Sequence, residues 1–298
     1  MKTVCAVVLT YNRKELLEKC LTALIKQEYK VSKIIVIDNC SNDGTDKIIE
    51  KYKDSLQWLK LEKNYGASYG FNVGIKEGYK QGCDYIWVMD DDTIPEMNSL
   101  KMLIKWTEID SIFNDVGFVC SDVRWSDGSA CKMNIPKVSQ EWNDGIAYDL
   151  VRVDSCSFVS VLFPRFVVKK VGLPISEFVI WSTDLEYTLR ITKLYNYVGY
   201  CAIRSRVTHA MKVNNRTDIV LDDETRIDRY KYNFRNQMYI AKRTGVISGV
   251  KFFIFGVRTI IRIIKHSESQ KIKRIRMVIW GIYRGIWFNP KIEYVQEC

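Results

Sequence analysis

The chain has 298 residues, 47% of them apolar, which suits one large domain or two closely joined lobes around a substantial core and excludes a disordered chain. Nine scattered cysteines with no Cys-x-x-Cys pair argue against a disulfide framework or a zinc site and fit reduced thiols in a cytoplasm. The net charge of +10 is concentrated, because residues 245–291 hold ten Lys or Arg against a single acid, Glu268, while the rest of the chain is nearly neutral.

The apolar run after Met1-Lys2-Thr3 is too brief for a signal segment, and residues 4–9 read instead as a buried parallel strand. Leu16, Leu17, Cys20, Leu21, Leu24 and Ile25 recur at helical spacing, predicting a helix over 14–27. A second strand over 33–37 ends in Asp38, and the turn Ser41-Asn42-Asp43-Gly44 opens a helix over 45–52. A third strand is expected at 56–61, a third helix at 69–81, and a fourth strand at 85–89 that runs into Asp90-Asp91-Asp92. This alternation predicts an α/β fold, a mainly parallel sheet with helices on both faces. Ligands bind such sheets beyond the carboxyl ends of the strands, where Thr10-Tyr11-Asn12, Asp38 and the three aspartates all fall. Residues 99–150 read as less regular, 151–164 as a strand pair, 184–195 as a helix, and 226–245 as a helix rich in Tyr and Arg. Two basic, aromatic, amphipathic segments follow from 250, split near His266-Ser267-Glu268-Ser269.

Three adjacent carboxylates repel one another, so the aspartate cluster calls for a cation. Oxygen ligands at a strand end suit Mg2+ or Mn2+, with one or two carboxylates and a diphosphate completing the shell. Residues 64–72, Asn-Tyr-Gly-Ala-Ser-Tyr-Gly-Phe-Asn, form a small-residue loop opening a helix, where glycines let backbone N–H groups approach a ligand.

Together, Val7-Val8-Leu9-Thr10-Tyr11-Asn12-Arg13, Val36-Ile37-Asp38-Asn39, Ser41, Asp43-Gly44-Thr45 and Asp90-Asp91-Asp92 resemble the family 2 glycosyltransferases of GT-A fold, over about residues 1–210. The resemblance implies that Thr10, Tyr11, Arg13 and Asp38 line a uridine or thymidine pocket, with Asn64, Gly66, Gly70 and Asp91 also on the donor side. A carboxylate at 38 suits this role, since it can accept the imide N–H of a pyrimidine. The loop at 64–72 resembles the galactofuranosyl and rhamnosyl transferases of the family, and Tyr85-Ile86-Trp87-Val88-Met89 with Asp-Asp-Asp-Thr-Ile-Pro-Glu looks closest to the galactofuranosyl branch. Trp181-Ser182-Thr183-Asp184-Leu185-Glu186-Tyr187 resembles the segment bearing the catalytic base, which implies Asp184 as the base and Trp181 and Glu186 as acceptor contacts. Galactofuranosyl transferases often carry an Asp-Asp pair where this chain has Thr183-Asp184. His209 matches the family's metal-binding histidine in spacing, so Asp90, Asp92 and His209 are the implied ligands of Mn2+ or Mg2+. Ser160 stands where relatives often carry glycine, which implies an altered acceptor fit.

The charge shift near residue 213 divides the chain into a catalytic domain, 1–213, with a nucleotide-binding half to 98 and an acceptor half from 99, and a helical C-terminal region, 214–298. Aromatics interleaved with Lys and Arg in the latter describe an interfacial helix on an anionic membrane. The expected protein is therefore an inverting, metal-dependent transferase, cytoplasmic and peripheral at the inner face of the cell membrane. It would move a sugar, galactofuranose before rhamnose, from a UDP- or dTDP-sugar to a lipid-linked glycan in cell-surface polysaccharide synthesis. A nucleic-acid-binding protein would also use the basic tail, and a glycosidase would also use paired carboxylates. Acidic strand ends repel a phosphate backbone, and a hydrolase needs no nucleotide pocket, so the transferase accounts for more of the chain.

Overall fold

The structure, a computed structural model, describes residues 2–108 and 115–296; Met1 and Cys298 of the expectations above lie outside them. Strand β1 (Val4–Thr10) is buried throughout. Its residues alternate between two cores, as strand geometry requires. Val4, Ala6 and Val8 pack with Leu17, Leu21 and Leu24 of α1 (Lys14–Ile25) on one face. Cys5, Val7 and Leu9 pack with Phe71 and Ile75 of α3 (Ala67–Lys80) on the other. With β2 (Lys33–Asp38), α2 (Thr45–Lys51), β3 (Leu56–Lys60) and β4 (Tyr85–Asp90), these elements follow the expected order within a residue or two at each end. The strands run parallel in the order β3-β2-β1-β4.

The chain continues through β5 (Thr93–Pro95), α4 (Ser99–Ile104), β6 (Val116–Arg124), β7 (Lys137–Val138), β8 (Leu150–Ser155), β9 (Val161–Pro164), α5 (Arg165–Val171), α6 (Thr183–Leu189) and β10 (Val198–His209). The described strands form one ten-stranded sheet. Here β9 lies antiparallel between β4 and β6, β10 runs parallel to β6, and β8 and β5 pair antiparallel with β10. Three expectations change. The region 99–150 contains β6, a long strand whose pattern is disguised by Ser121, Asp122 and Arg124 at its far end. The strands at 150–155 and 161–164 both form but do not pair with each other, because β9 crosses to the parallel half of the sheet. The helix expected over 184–195 ends at Leu189 and passes into a single π turn, Arg190–Leu194.

Three helices close the chain, α7 (Tyr230–Thr244), α8 (Val246–His266) and α9 (Lys271–Trp287), with a 3-10 turn, Glu224–Arg229, in front of α7. Phe234, Met238, Ile263, Val278 and Ile282 form their shared core together with Ile219 and Val220. Among the described residues no helix is long and apolar enough to cross a membrane. The eight described cysteines are all free thiols.

Ser160 is fully buried at the bend that leads into β9, so its hydroxyl faces the protein interior. Its hydroxyl accepts from the Trp87 indole at 2.9 Å and joins a chain of hydroxyls through Ser121 (2.7 Å) and Ser205 (2.8 Å) to the Ser99 carbonyl (2.9 Å). Removing one member strands a buried N–H, which costs about 1–3 kcal/mol. Ser160→Ala is therefore expected to lower the unfolding free energy by that amount, read as a lower denaturant midpoint at an unchanged m-value. An unchanged midpoint would show that the indole N–H does not depend on this hydroxyl.

Candidate active site

The strand registers bring the expected residues level. Thr10 pairs with Asp38 across β1 and β2, and Leu9 pairs with Asp90 across β1 and β4, so three carboxyl ends open on one crevice. After the aspartates, β5 turns and pairs antiparallel with the end of β10, with His209 opposite Thr93. That pairing carries His209 to Asp92, more than a hundred residues away in sequence. One ligand atom from each of Asp90, Asp92 and His209 lies within 4.8 Å of the others.

Two of the three carboxylates have close cationic partners. Asp91 accepts from the Thr10 hydroxyl (2.8 Å), the Tyr11 N–H (3.3 Å) and the Arg13 guanidinium (3.2 Å). Asp92 meets Arg13 at 2.6 Å through one oxygen and His209 Nε2 at 3.1 Å through the other. Burial raises all three carboxyls, but the adjacent His209 and Arg13 outweigh it at Asp92, which is held below its usual value. Burial and the neighbouring Asp92 push Asp90 up to about 8, and Asp91 reaches about 6. Burial opposes charge on His209, yet its contacts with Asp92 and Cys131 and the charge of Asp90 raise the imidazole to about 10.

These residues fit a divalent cation. The second oxygen of Asp92, Oδ1, is buried, and its approach to His209 is not aligned as a hydrogen bond. His209 Nδ1 faces Asn134 Oδ1 at 2.8 Å, and the Asn134 amide donates to Ser157 at 2.9 Å, which fixes its orientation. With the amide in this orientation Nδ1 carries a proton, and Nε2, on giving up its own, would be the nitrogen to bind a metal, the arrangement common around metal-bound histidines. Sequence reasoning missed Asn134. The residue sits in an irregular segment far from His209 in the chain, and no motif marks it.

On the donor side, Asp38 is fully buried. Its Oδ1 accepts from the Ser41 N–H at 2.8 Å, and its Oδ2 has no hydrogen-bond partner among the described residues. Tyr11 is 44% exposed and Arg13 is also partly open, so both can meet a ligand. Thr10 and Asp91 are buried and bonded to each other, so they latch the end of β1 to the aspartate turn rather than facing open space. Asn64 is exposed, and its carbonyl oxygen accepts from the Gly66 N–H at 2.9 Å. Gly66 has a φ of 92°, and a Cβ there would overlap the Val179 carbonyl, so only glycine fits. Gly70 departs from its expected donor role. It lies buried against the Leu9 side chain and lets α3 approach β1 closely.

The second constellation divides likewise. Asp184 is half-buried at the start of α6, accepts from the Leu185 N–H at 2.8 Å, and has its carboxyl raised by burial. Trp181 is half-buried, with its ring 4.9 Å from that of Tyr230 and under the Arg226 guanidinium. Glu186, expected to contact the acceptor, is instead buried in a two-point ion pair with Arg190 at 2.9 and 3.0 Å. Arg190 in turn donates to the Val171 and Leu173 carbonyls, so both partners are structural. The (i, i+4) spacing that makes this pair was visible in the sequence.

Comparison with known proteins agrees with this geometry. The sequence profile described as Glycosyl transferase family 2 matches residues 5–171. The galactofuranosyltransferase GlfT1 of Mycolicibacterium smegmatis is 31% identical over 260 residues, 82% of this chain and 85% of that protein. Among solved structures, GalNAc-T7 with UDP, GalNAc and Mn2+ superposes with a TM-score of 0.60 at 13% identity, over 84% of this chain but only 53% of its own. S. aureus TarS (residues 1–349) with UDP-GlcNAc superposes with a TM-score of 0.53 at 15% identity, over 96% of this chain and 73% of its own. These structural likenesses show the fold, the GT-A fold that the sequence implied. The profile and the alignment along most of both chains carry the identity: this chain is a glycosyltransferase and belongs to glycosyl transferase family 2.

Proposed function

We propose that the chain is an inverting, metal-dependent galactofuranosyltransferase that takes its donor from UDP-galactofuranose and its acceptor from a lipid-linked glycan at an anionic membrane surface. The observation that carries the reading is the crevice where the buried Asp38, with one oxygen unpartnered, lies level with the Asp90, Asp92 and His209 cluster. Asp38 Oδ2 would accept the imide N–H of the uracil. Tyr11 and Arg13 would line the nucleoside and diphosphate, and Asn64 and Gly66 would shape the loop beneath the sugar. Asp90, Asp92 and His209 would hold Mn2+ or Mg2+, which when bound offsets the charge on the leaving diphosphate. Asp184, its carboxyl raised by burial, would take the proton from the acceptor hydroxyl. Trp181 would offer its ring face to the acceptor sugar. The sugar itself is inferred from the relative at 31% identity and from the loop at 64–72. Thr183, where the galactofuranosyl branch often has a second aspartate, favours dTDP-rhamnose as a second donor to be assayed. Residues 1–98 would serve the donor, 99–213 the acceptor and 214–298 the membrane.

The membrane reading gains from the helix faces. Along α8 the exposed Val246, Val250, Phe253, Val257, Ile261 and Ile264 recur every three or four residues. Beside that stripe runs a second, of exposed Lys251, Arg258, Arg262 and Lys265, while Gly249, Gly256, Thr259 and Ile263 face the protein. An apolar stripe flanked by cations suits acyl chains below and lipid phosphates beside them, whereas nucleic acid has no use for the apolar face. Because α8 and α9 share a core with α7, removing them would expose buried surface, and point substitutions are the cleaner test.

Turnover should be measured with UDP-galactofuranose, dTDP-rhamnose and UDP-GlcNAc, each with Mn2+ and a set of alkyl glycosides as acceptors. Transfer from UDP-galactofuranose with inversion at the anomeric carbon is expected, and transfer only from another donor would replace the sugar named here. Asp92→Asn is expected to weaken binding of UDP in the presence of Mn2+ and to reduce turnover at least about 100-fold; full activity in chelator would end the metal role. Asp184→Asn is expected to reduce transfer to a small residual rate while UDP affinity in Mn2+ persists, and a retained rate would dismiss Asp184 as the base.

The triple variant Phe253→Ser, Val257→Ser, Ile261→Ser changes only exposed positions. A fully buried apolar side chain contributes roughly 1.5–3 kcal/mol. The variant should therefore float with phosphatidylglycerol vesicles at least about tenfold less than the parent, and the parent's binding should fall as salt screens its cations. Equal flotation of the two forms would remove the apolar stripe from membrane binding. Retention of the parent on nucleic acid but not on vesicles would favour the other partner.

A further inference from the structure

The turn in front of Asp184 is strained. Val179, Trp181 and Ser182 have φ values of 66°, 63° and 65°, and none is glycine. A β-branched valine at positive φ is a steric outlier, and such residues persist only where the surroundings over-determine them.

Two elements distant in sequence hold this turn. From the donor side, the Val179 carbonyl accepts from the Ser68 N–H at 3.1 Å, and the Ser68 hydroxyl pairs with that of Thr183 at 2.6 Å. From the C-terminal helices, the side-chain amide of Asn236 on α7 donates to three carbonyls of the turn, those of Phe178 (3.0 Å), Ile180 (3.2 Å) and Trp181 (3.0 Å). Asn236 is fully buried. Its carbonyl oxygen accepts from the Arg235 guanidinium at 3.0 and 2.9 Å, so the amide cannot flip. Arg235 also donates to the Glu177 carbonyl at 2.6 Å, just ahead of the turn.

We infer that Asn236 is a positioning residue for the transfer reaction, holding the strained 178–182 turn so that Trp181 and Asp184 face the donor loop. The inference rests on the reading of Asp184 as the base. Both N–H groups of one buried amide are spent on the turn, although helix α7 needs neither. Without them three carbonyls lose a donor in a buried place, and only the Ser68 contacts to Val179 and Thr183 remain to oppose the strain of positive φ at Val179 and Trp181. The turn would relax toward ordinary backbone angles, and Asp184, two residues beyond, would move with it. A reacting group displaced by about 1 Å costs roughly 100-fold in rate. Asp38, Tyr11 and Arg13, at the ends of β1 and β2, make none of these contacts, so the nucleotide side of the donor pocket would be spared even where the loop at 64–68 shifts with the turn. The C-terminal helices therefore have a second task besides any contact with a membrane, since α7 completes the acceptor side of the site.

Asn236→Ala is to be compared with Val278→Ala, a cavity in the core of the same helical unit at a side chain that makes no hydrogen bond to the turn. Transfer is measured well below both melting temperatures, with UDP affinity in Mn2+ alongside. The expected result is a fall in kcat of about 100-fold for Asn236→Ala at unchanged UDP affinity, with Val278→Ala keeping the parent kcat. In the Asp184→Asn background, Asn236→Ala should add no further loss, because both act through one group. Three results would overturn the inference: an unchanged kcat in Asn236→Ala, loss of kcat in both variants in step with stability, or a full additional loss in the double variant. Full activity of Asp184→Asn would instead overturn the assignment of the base and with it the route through Asp184. An inactive Asp184→Asn beside a fully active Asn236→Ala would overturn the clamp alone.

Discussion

Mutual repulsion among Asp90, Asp91 and Asp92 is the constraint around which the site is built. Three consecutive carboxylates at the end of a buried strand are tolerable only if each finds its own compensation. Asp91 finds it locally, in Thr10, the Tyr11 N–H and Arg13, all at the end of the neighbouring strand. Asp92 shares Arg13 through one oxygen and gains a second partner, His209, from the far half of the chain. Asp90 is left with its carboxyl raised, a group whose charge awaits a cation. One set of side chains thus offsets much of this charge and, under the proposed function, would also hold the metal.

The topology follows from that requirement. Parallel strands β3-β2-β1-β4 could close a nucleotide crevice alone, but none of them carries a histidine to the aspartates. The return of β10 beside β6, and the short β5 pairing with its end, bring His209 opposite Thr93. Between the two halves, β9 runs antiparallel to β4 and β6 and is tied in by the buried hydroxyl chain through Ser160. The serine that looked like a change in acceptor fit is a hydrogen-bond station in the seam of the sheet.

Under the proposed function the C-terminal helices would join two roles. One side of α7 and α8 buries Phe234, Met238 and Ile263 and clamps the turn ahead of Asp184. The other side of α8 presents an apolar stripe and a line of cations. An acceptor anchored in lipid would then arrive beside the element that orders the acceptor side of the site. This is a geometric economy that a free-standing anchor would lack.

Periodicity and strand-end chemistry in the sequence by themselves determined the first half of the protein. Val4 to Leu9, the helical spacing from Leu16 to Ile25, and the aspartates after Tyr85–Met89 are local signals, and local hydrogen bonding and burial decide those elements. The same holds for Asp38 and for the amphipathic helices after residue 246. Local signals failed where partners are distant. Strand β6 was obscured because buried Ser121 is satisfied by Ser160 and Ser205 from other strands. Glu186 and Gly70 were read as ligand contacts, yet Arg190 and Leu9 occupy them. Asn134 and Asn236 carry no motif, because an amide's role is set by which carbonyls and ring nitrogens the fold brings within 3 Å of it. The residue types able to do the chemistry were legible in the chain; which of them stand free to do it was decided only when tertiary packing assigned every buried polar group its partner.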